Sequence, residues 1–342
     1  MTDKTNRIMQ GEEGMKRREF LYGSSAIAAK AALSPGIFAD AAGTNVKPID
    51  AKTFHASRKF AKLPVSRVAY FERGHGQVAL FVHGYPLNGF QWRGAIERLQ
   101  GHRRCIAPDV MGMGHTETPE GHAISPGTQA DMLAMLLDSL HIDEVDLVAN
   151  DSGGLVAQLF VAKYPRRVRT LLLTNCDVDE NSPPPQFLPL IKLAKEGTLV
   201  DKFIVPQLND KQLARSPKGM GGLAYTYPDQ LADETIETYF RPFVENPLTK
   251  IQMQQYAISM EANPLIAVRE DLRQWKGPAR MVWGLKDTLF GVEWAEWLDR
   301  TLPGSRGVRR VEAANLFFPE EMPDVIAEEA LALWNISPTQ QS

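Results

Sequence analysis

The chain has 342 residues, 44% hydrophobic and 23% charged, with a formal net charge of -3, which fits a soluble globular protein of one large or two ordinary domains. With no basic run beyond the N-terminus, a nucleic-acid partner has no electrostatic footprint. No apolar stretch reaches the roughly 18 residues of a membrane span, so none is expected in the mature protein.

Met15-Lys16-Arg17-Arg18-Glu19-Phe20-Leu21 opens a weakly apolar stretch that runs to about Leu33, and Ala39-Asp40-Ala41 follows. An arginine pair, a moderate apolar region and small residues at a cut site resemble a bacterial twin-arginine export signal. The resemblance implies that residues 1–41 are an N-terminal extension and signal peptide. The mature protein is then expected in the periplasm or secreted.

Beyond it, short apolar runs each end in turn chemistry. Val78 to Val82 ends at His83-Gly84, Arg104 to Ala107 at Pro108-Asp109, and Val145 to Val148 at Asn150-Asp151. Thr170 to Thr174 ends at Asn175-Cys176-Asp177, Ala279 to Trp283 at Gly284, and Val308 to Val311 at Glu312. Such runs read as buried strands of a parallel sheet. Helical patterns separate them, as at Gln129 to Leu140 and Gly154 to Tyr164, so the expected class is α/β with a mostly parallel, doubly wound sheet. Ser66 to Phe71, joined to Val78 through Gly74-His75-Gly76, reads as an antiparallel hairpin at one edge. Cys105 and Cys176 sit in apolar runs and read as buried free thiols.

Between about Val178 and Trp275 the alternation stops, with helical stretches such as Asp233 to Tyr239 and Lys250 to Met260 but no strand pattern. The expected organisation is a first core part over 42–177, an inserted helical cap over 178–275 and a second core part over 276–342. A cap between the sixth and seventh strands would roof the carboxyl ends of the sheet, where open α/β sheets bind ligands.

The sharpest motif is Val148-Ala149-Asn150-Asp151-Ser152-Gly153-Gly154, after a strand and before a helix. A nucleophile elbow needs small residues two before and two after the nucleophile. Centred on Asp151 these are Ala149 and Gly153; centred on Ser152 they are Asn150 and Gly154, a poorer fit. The alternative is an aspartate that only caps a helix. His83-Gly84-Tyr85-Pro86 follows the first long strand, and its turn would supply one oxyanion N–H from Tyr85, with Ser152 supplying the other.

Three segments resemble the haloalkane dehalogenases and epoxide hydrolases of the α/β-hydrolase superfamily: His83 to Arg93, Cys105 to Gly114 and Asn150 to Gly154. The resemblance implies an aspartate nucleophile attacking an electrophilic carbon of a small apolar substrate, with haloalkane first and epoxide as the alternative. A non-catalytic ligand-binding relative and an ester or lactone hydrolase using Ser152 stay open. No cofactor and no metal is expected. His83 and Trp92 join Tyr85 and Ser152 as oxyanion or substrate contacts, and Asp287 or Asp177 would be the charge partner, though either could serve a turn instead. The family's histidine precedes a Phe-x-x-x-acid-x-Pro context, and counting back from Glu321 and Pro323 puts Leu316 there. His141 is the last histidine in the chain, so the usual general base is absent, with His83 and His115 as distant substitutes. The family's halide contacts, a Trp after the nucleophile and an Asn in the oxyanion turn, are Ser152 and Tyr85 here. Tyr225, Tyr227, Tyr239 and Tyr256 are candidate phenols for epoxide opening, and the sequence does not select among them. Displacement itself is expected from a carboxylate ionised at neutral pH.

Overall fold

The computed structural model describes residues 49–336. The twin-arginine segment and its Ala39-Asp40-Ala41 site lie outside them. Eight strands form one sheet: β1 Lys59–Lys62, β2 Arg67–Arg73, β3 Val78–Val82, β4 Arg104–Pro108, β5 Val145–Asp151, β6 Val168–Cys176, β7 Ala279–Gly284 and β8 Ser305–Val311. Their order is β1-β2-β4-β3-β5-β6-β7-β8. From β4 to β8 every pairing is parallel; β1 and β2 are antiparallel.

Side-chain chemistry explains this order. β3 and β5 are buried at every residue, as continuous apolar runs must be when helices cover both faces of a sheet. β1, Lys59-Phe60-Ala61-Lys62, exposes both lysines at an edge, where charge discourages pairing with another chain. The hairpin expected between Ser66–Phe71 and Val78 is corrected: β2 is antiparallel, but it pairs with β1 and β4. The fully apolar β3 is drawn inside, between β4 and β5. Helix Ser152–Lys163, buried along most of its length, packs against the centre of the sheet.

The interval between β6 and β7 contains helices Leu188–Lys195, Asp233–Glu245, Pro247–Ser259 and Arg269–Gln274, and no strand of the sheet. Asn246 caps the third of these by accepting from Leu248 and Thr249 N–H, as expected of an asparagine at a helix start. Both cysteines are buried and free. Among the described residues no helix is long and apolar enough to cross a membrane.

A buried ion cluster ties the amino ends of the strands together. Asp146, second residue of β5, is fully buried and accepts from Arg103 Nε at 2.7 Å, Arg169 Nη2 at 2.8 Å and Nε at 2.9 Å, and Thr170 Oγ1 at 2.8 Å.

Candidate active site

Asp151 ends β5 and immediately precedes helix Ser152–Lys163, with φ 53° and ψ -133°. A side-chain-bearing residue held at positive φ costs on the order of 1–3 kcal/mol and needs surrounding contacts to enforce it. The enforcing contacts are close ones. A Cβ on Gly153 would lie 2.4 Å from the Val82 carbonyl oxygen, and one on Gly84 would lie 2.7 Å from Asp151 Cβ. Both glycines are therefore steric requirements of the bend. Asn150 anchors it from behind: its Nδ2 donates to Thr174 Oγ1 at 2.9 Å, Asn175 O at 3.1 Å and Leu316 O at 3.1 Å. Gln91 Nε2 donates to Asn150 Oδ1 at 2.7 Å, and Gln91 Oε1 accepts from Gly84 N at 3.0 Å. One glutamine thus locks the elbow to the oxyanion turn.

The two expected oxyanion donors meet at the Asp151 carboxyl. Tyr85 N–H donates to Oδ2 at 2.6 Å, and Ser152 N–H is the second backbone donor. Asp151, Asp177, Tyr85 and Ser152 line one cavity with the apolar side chains of Pro183, Phe187 and Phe290. Its volume is about 10 Å³, near the minimum for a single water molecule.

Among the described residues no cation is found among the groups that act on these acids. Burial, with the negative charge of Asp177 beside it, pushes Asp151 well above the usual carboxylate range despite its backbone donors. Burial beside a second acid thus opposes the ionisation expected of this nucleophile. Burial also raises Asp177 to about 7 and Asp287 to about 6. These two acids differ in their partners. Asp287 Oδ1 accepts from Leu289 N at 2.8 Å and Oδ2 from Asn175 Nδ2 at 2.9 Å, so both oxygens hold the turn after β7. Asp177 Oδ1 is buried with no hydrogen-bond partner.

The remaining candidates fall into place around this cavity. His83 uses both ring nitrogens: Nε2 accepts from Val110 N at 3.0 Å and Nδ1 meets Gly84 O at 2.9 Å. Burial lowers its basicity, so it is a neutral brace of the turn. His115 packs edge-on against His55, ring centroids 5.6 Å apart, and its electrostatic neighbours are Arg58, Asp109 and Glu245; it does not line the cavity. Trp92 is fully buried against Phe81 at 5.6 Å and is likewise not a lining residue. Leu316 is buried, and its carbonyl accepts from Asn150.

The phenols separate into two groups. Tyr225 and Tyr239 donate to Glu320 Oε2 at 2.7 and 2.9 Å, while Glu320 Oε1 pairs with Arg93 at 2.6 Å. Tyr227 is exposed, and its backbone N–H donates to Glu321. Tyr256 lies beside Tyr85, ring centroids 6.2 Å apart, with Asp151 in the electrostatic surroundings of both. Both hydroxyls are buried; that of Tyr85 has no hydrogen-bond partner, while that of Tyr256, which is not a lining residue, has the Ser152 side chain close to it. Burial raises both phenols, so each stays protonated and available as a donor.

Sequence reasoning did not find Gln91, Asn150 and Asn175 as the scaffold of the site. Their signal was present: each is a carboxamide in or just after an apolar run, where a buried polar side chain must find partners.

A parallel sheet, a strained acid at a strand-to-helix bend and two converging N–H donors define a hydrolase of the α/β class. The chain belongs to the alpha/beta hydrolase fold family, whose model matches residues 78–321. It is 26% identical over 254 residues to the cis-3-alkyl-4-alkyloxetan-2-one decarboxylase of Shewanella oneidensis, covering 70% of this chain and 77% of that protein. Its fold is shared with the epoxide hydrolase CorEH, at TM-score 0.66 and 20% identity over 81% of this chain and 98% of that one. The same holds for haloalkane dehalogenase DbeA of Bradyrhizobium elkani, at TM-score 0.67 and 21% identity over 82% and 99%.

Proposed function

We propose that Asp151 attacks an electrophilic saturated carbon of a small, apolar, uncharged substrate and forms an alkyl–enzyme ester. Oxygen is the leaving atom this site fits better than halide, which makes an epoxide the reference substrate. The observation that carries this reading is Tyr85, whose unpartnered phenol belongs to a residue lining the cavity with Asp151, with the buried phenol of Tyr256 next to it and near Ser152. Ring opening puts charge on an oxygen, and preorganised donors in a water-poor site are what stabilise it. Halide displacement, the reading the sequence resemblance ranks first, lacks the indole that the family places after the nucleophile, since Ser152 stands there.

Because Asp151 holds its proton above the usual range, its alkylation should accelerate as pH rises. Incubation with styrene oxide or 1-bromobutane, followed by intact-mass and peptide analysis, tests the reading. The expected result is a covalent increment on the Asp151 peptide, larger with the epoxide and absent in Asp151→Asn. No increment with either electrophile removes the reading and favours a non-catalytic relative, to which the one-water cavity also lends support. Export through the twin-arginine route is part of the same proposal; replacing Arg17 and Arg18 by lysine should leave the protein in the cytoplasm on fractionation.

A further inference from the structure

An ester on Asp151 is useful only if something activates water to remove it, and among the described residues no imidazole lines the cavity. We propose that Asp177 is the general base of this site, acting through its free Oδ1 on a water held between it and Asp151. The inference rests on the reading of Asp151 as nucleophile and adds the hydrolytic half of the cycle.

Three observations support it. Asp177 lines the same cavity as Asp151 and both oxyanion residues, and that cavity has room for about one water. Its Oδ1 is buried with no hydrogen-bond partner, and the nearby side chain that acts on its carboxyl is the neutral Ser182 hydroxyl, itself otherwise unpartnered, whereas a buried polar atom is normally satisfied. The neighbouring acids have their oxygens engaged: Asp287 by Leu289 N–H and Asn175, Glu320 by Arg93, Tyr225 and Tyr239, and Glu321 by Thr226 and Tyr227 N–H. Asp109 is likewise taken up by Gly89 and His115 N–H. Asp177 is the one that lines the cavity and keeps an oxygen without a partner. Burial places it at about 7, the range in which a base is effective at neutral pH.

Once Asp151 is an ester it no longer titrates, and Asp177 is the cavity acid left to act on water. Asp177 then takes a proton from water as the water oxygen bonds to Asp151 Cγ. The resulting oxyanion faces the Tyr85 and Ser152 N–H groups. When the Cγ–O(alkyl) bond breaks, the departing alkoxide takes the proton held on Asp177 and leaves as an alcohol. Asp177 is again a carboxylate, and Asp151 is a carboxylic acid carrying the second hydrogen of the water. With an epoxide, that hydrogen balances the one the opened ring oxygen acquires, and the sum is epoxide plus water to diol.

The test follows ester formation and decay on the full chain after a pulse of styrene oxide. In the parent protein the adduct should decay with release of diol, at a rate that rises with pH around 7. In Asp177→Asn it should form and persist, decaying about 10²-fold more slowly or less and without that pH dependence, while Asp177→Glu should recover part of the decay. Equal decay in the parent and Asp177→Asn would overturn the proposal and leave Asp151 as nucleophile. So would failure of Asp177→Asn to form the adduct while the parent turns over. No adduct in any of them, the parent included, removes the nucleophile reading and this inference with it. Asparagine matches aspartate in shape and replaces an acid already prone to neutrality, so the variant is expected to fold.

Discussion

Strand β5 carries two buried aspartates, one near each end, and they have opposite electrostatic lives. Asp146 is saturated by two arginines and a threonine. Asp151, five positions on, has two backbone N–H donors, a second acid for a neighbour and, among the described residues, no cation acting on it. The same residue type on one strand is a structural tie at one end and a reactive group at the other. Stability draws on fully compensated charge, whereas reactivity needs charge left partly uncompensated.

The largest effect is expected at the compensated end. Asp146→Ala strands Arg103 and Arg169 beside a buried hole, and breaking such a cluster costs about 3–5 kcal/mol; urea unfolding should show a midpoint far below that of the parent.

At the uncompensated end the sign reverses. Asp177 in the folded chain sits at about 7 against an ordinary 3.8. The folded state therefore binds the proton more tightly, and its stability is full below the ordinary value and lost as pH rises through about 7. Asp287, at about 6, acts in the same direction. Asp177→Asn should be more stable than the parent at pH 8, by on the order of 4 kcal/mol, with little difference at pH 3.5. Equal stability of the two across that range, by thermal unfolding, would contradict the assignment.

Glu320 lies between the extremes, with one arginine and two phenols. Glu320→Gln keeps the shape and removes the charge, which should cost about 2 kcal/mol from weakened charge-assisted hydrogen bonds. Loss of near-ultraviolet signal from Tyr225 and Tyr239 should accompany it.

Much of this arrangement was legible in the residues themselves. Short runs ending in turn chemistry marked six of the eight strands, and the small residues around Asp151 marked the bend. The last of the six, expected to be buried, is an edge strand with no buried residue because it carries Arg309 and Arg310. What could not be read were relations that depend on side-chain direction. Four tyrosines in one helical stretch look alike in sequence, yet two are fixed by Glu320, one is exposed and Tyr256 is turned toward the acids. Asp177 and Asp287 both follow strands, and only the hydrogen bonds distinguish the acid that holds a turn from the one with a free oxygen. The edge hairpin went astray because local connection favoured neighbours, while burial moved β3 inward.

The bonds that Glu320 and Glu321 make to Tyr225, Thr226, Tyr227 and Tyr239 fasten the inserted helices to the turn where the family's histidine would stand. At the cavity itself, the proline-rich stretch through Phe187 is tied to the loop after β7 by two amide side chains, Asn181 to Leu289 O and Gln186 to Thr288 O. The inserted segment is thus held to the core at two separate places, by carboxylates at one and by amides at the other. Phe187 lines the cavity on the amide-held stretch, so trimming it to alanine would widen the space before Asp151 while leaving every reacting atom in place.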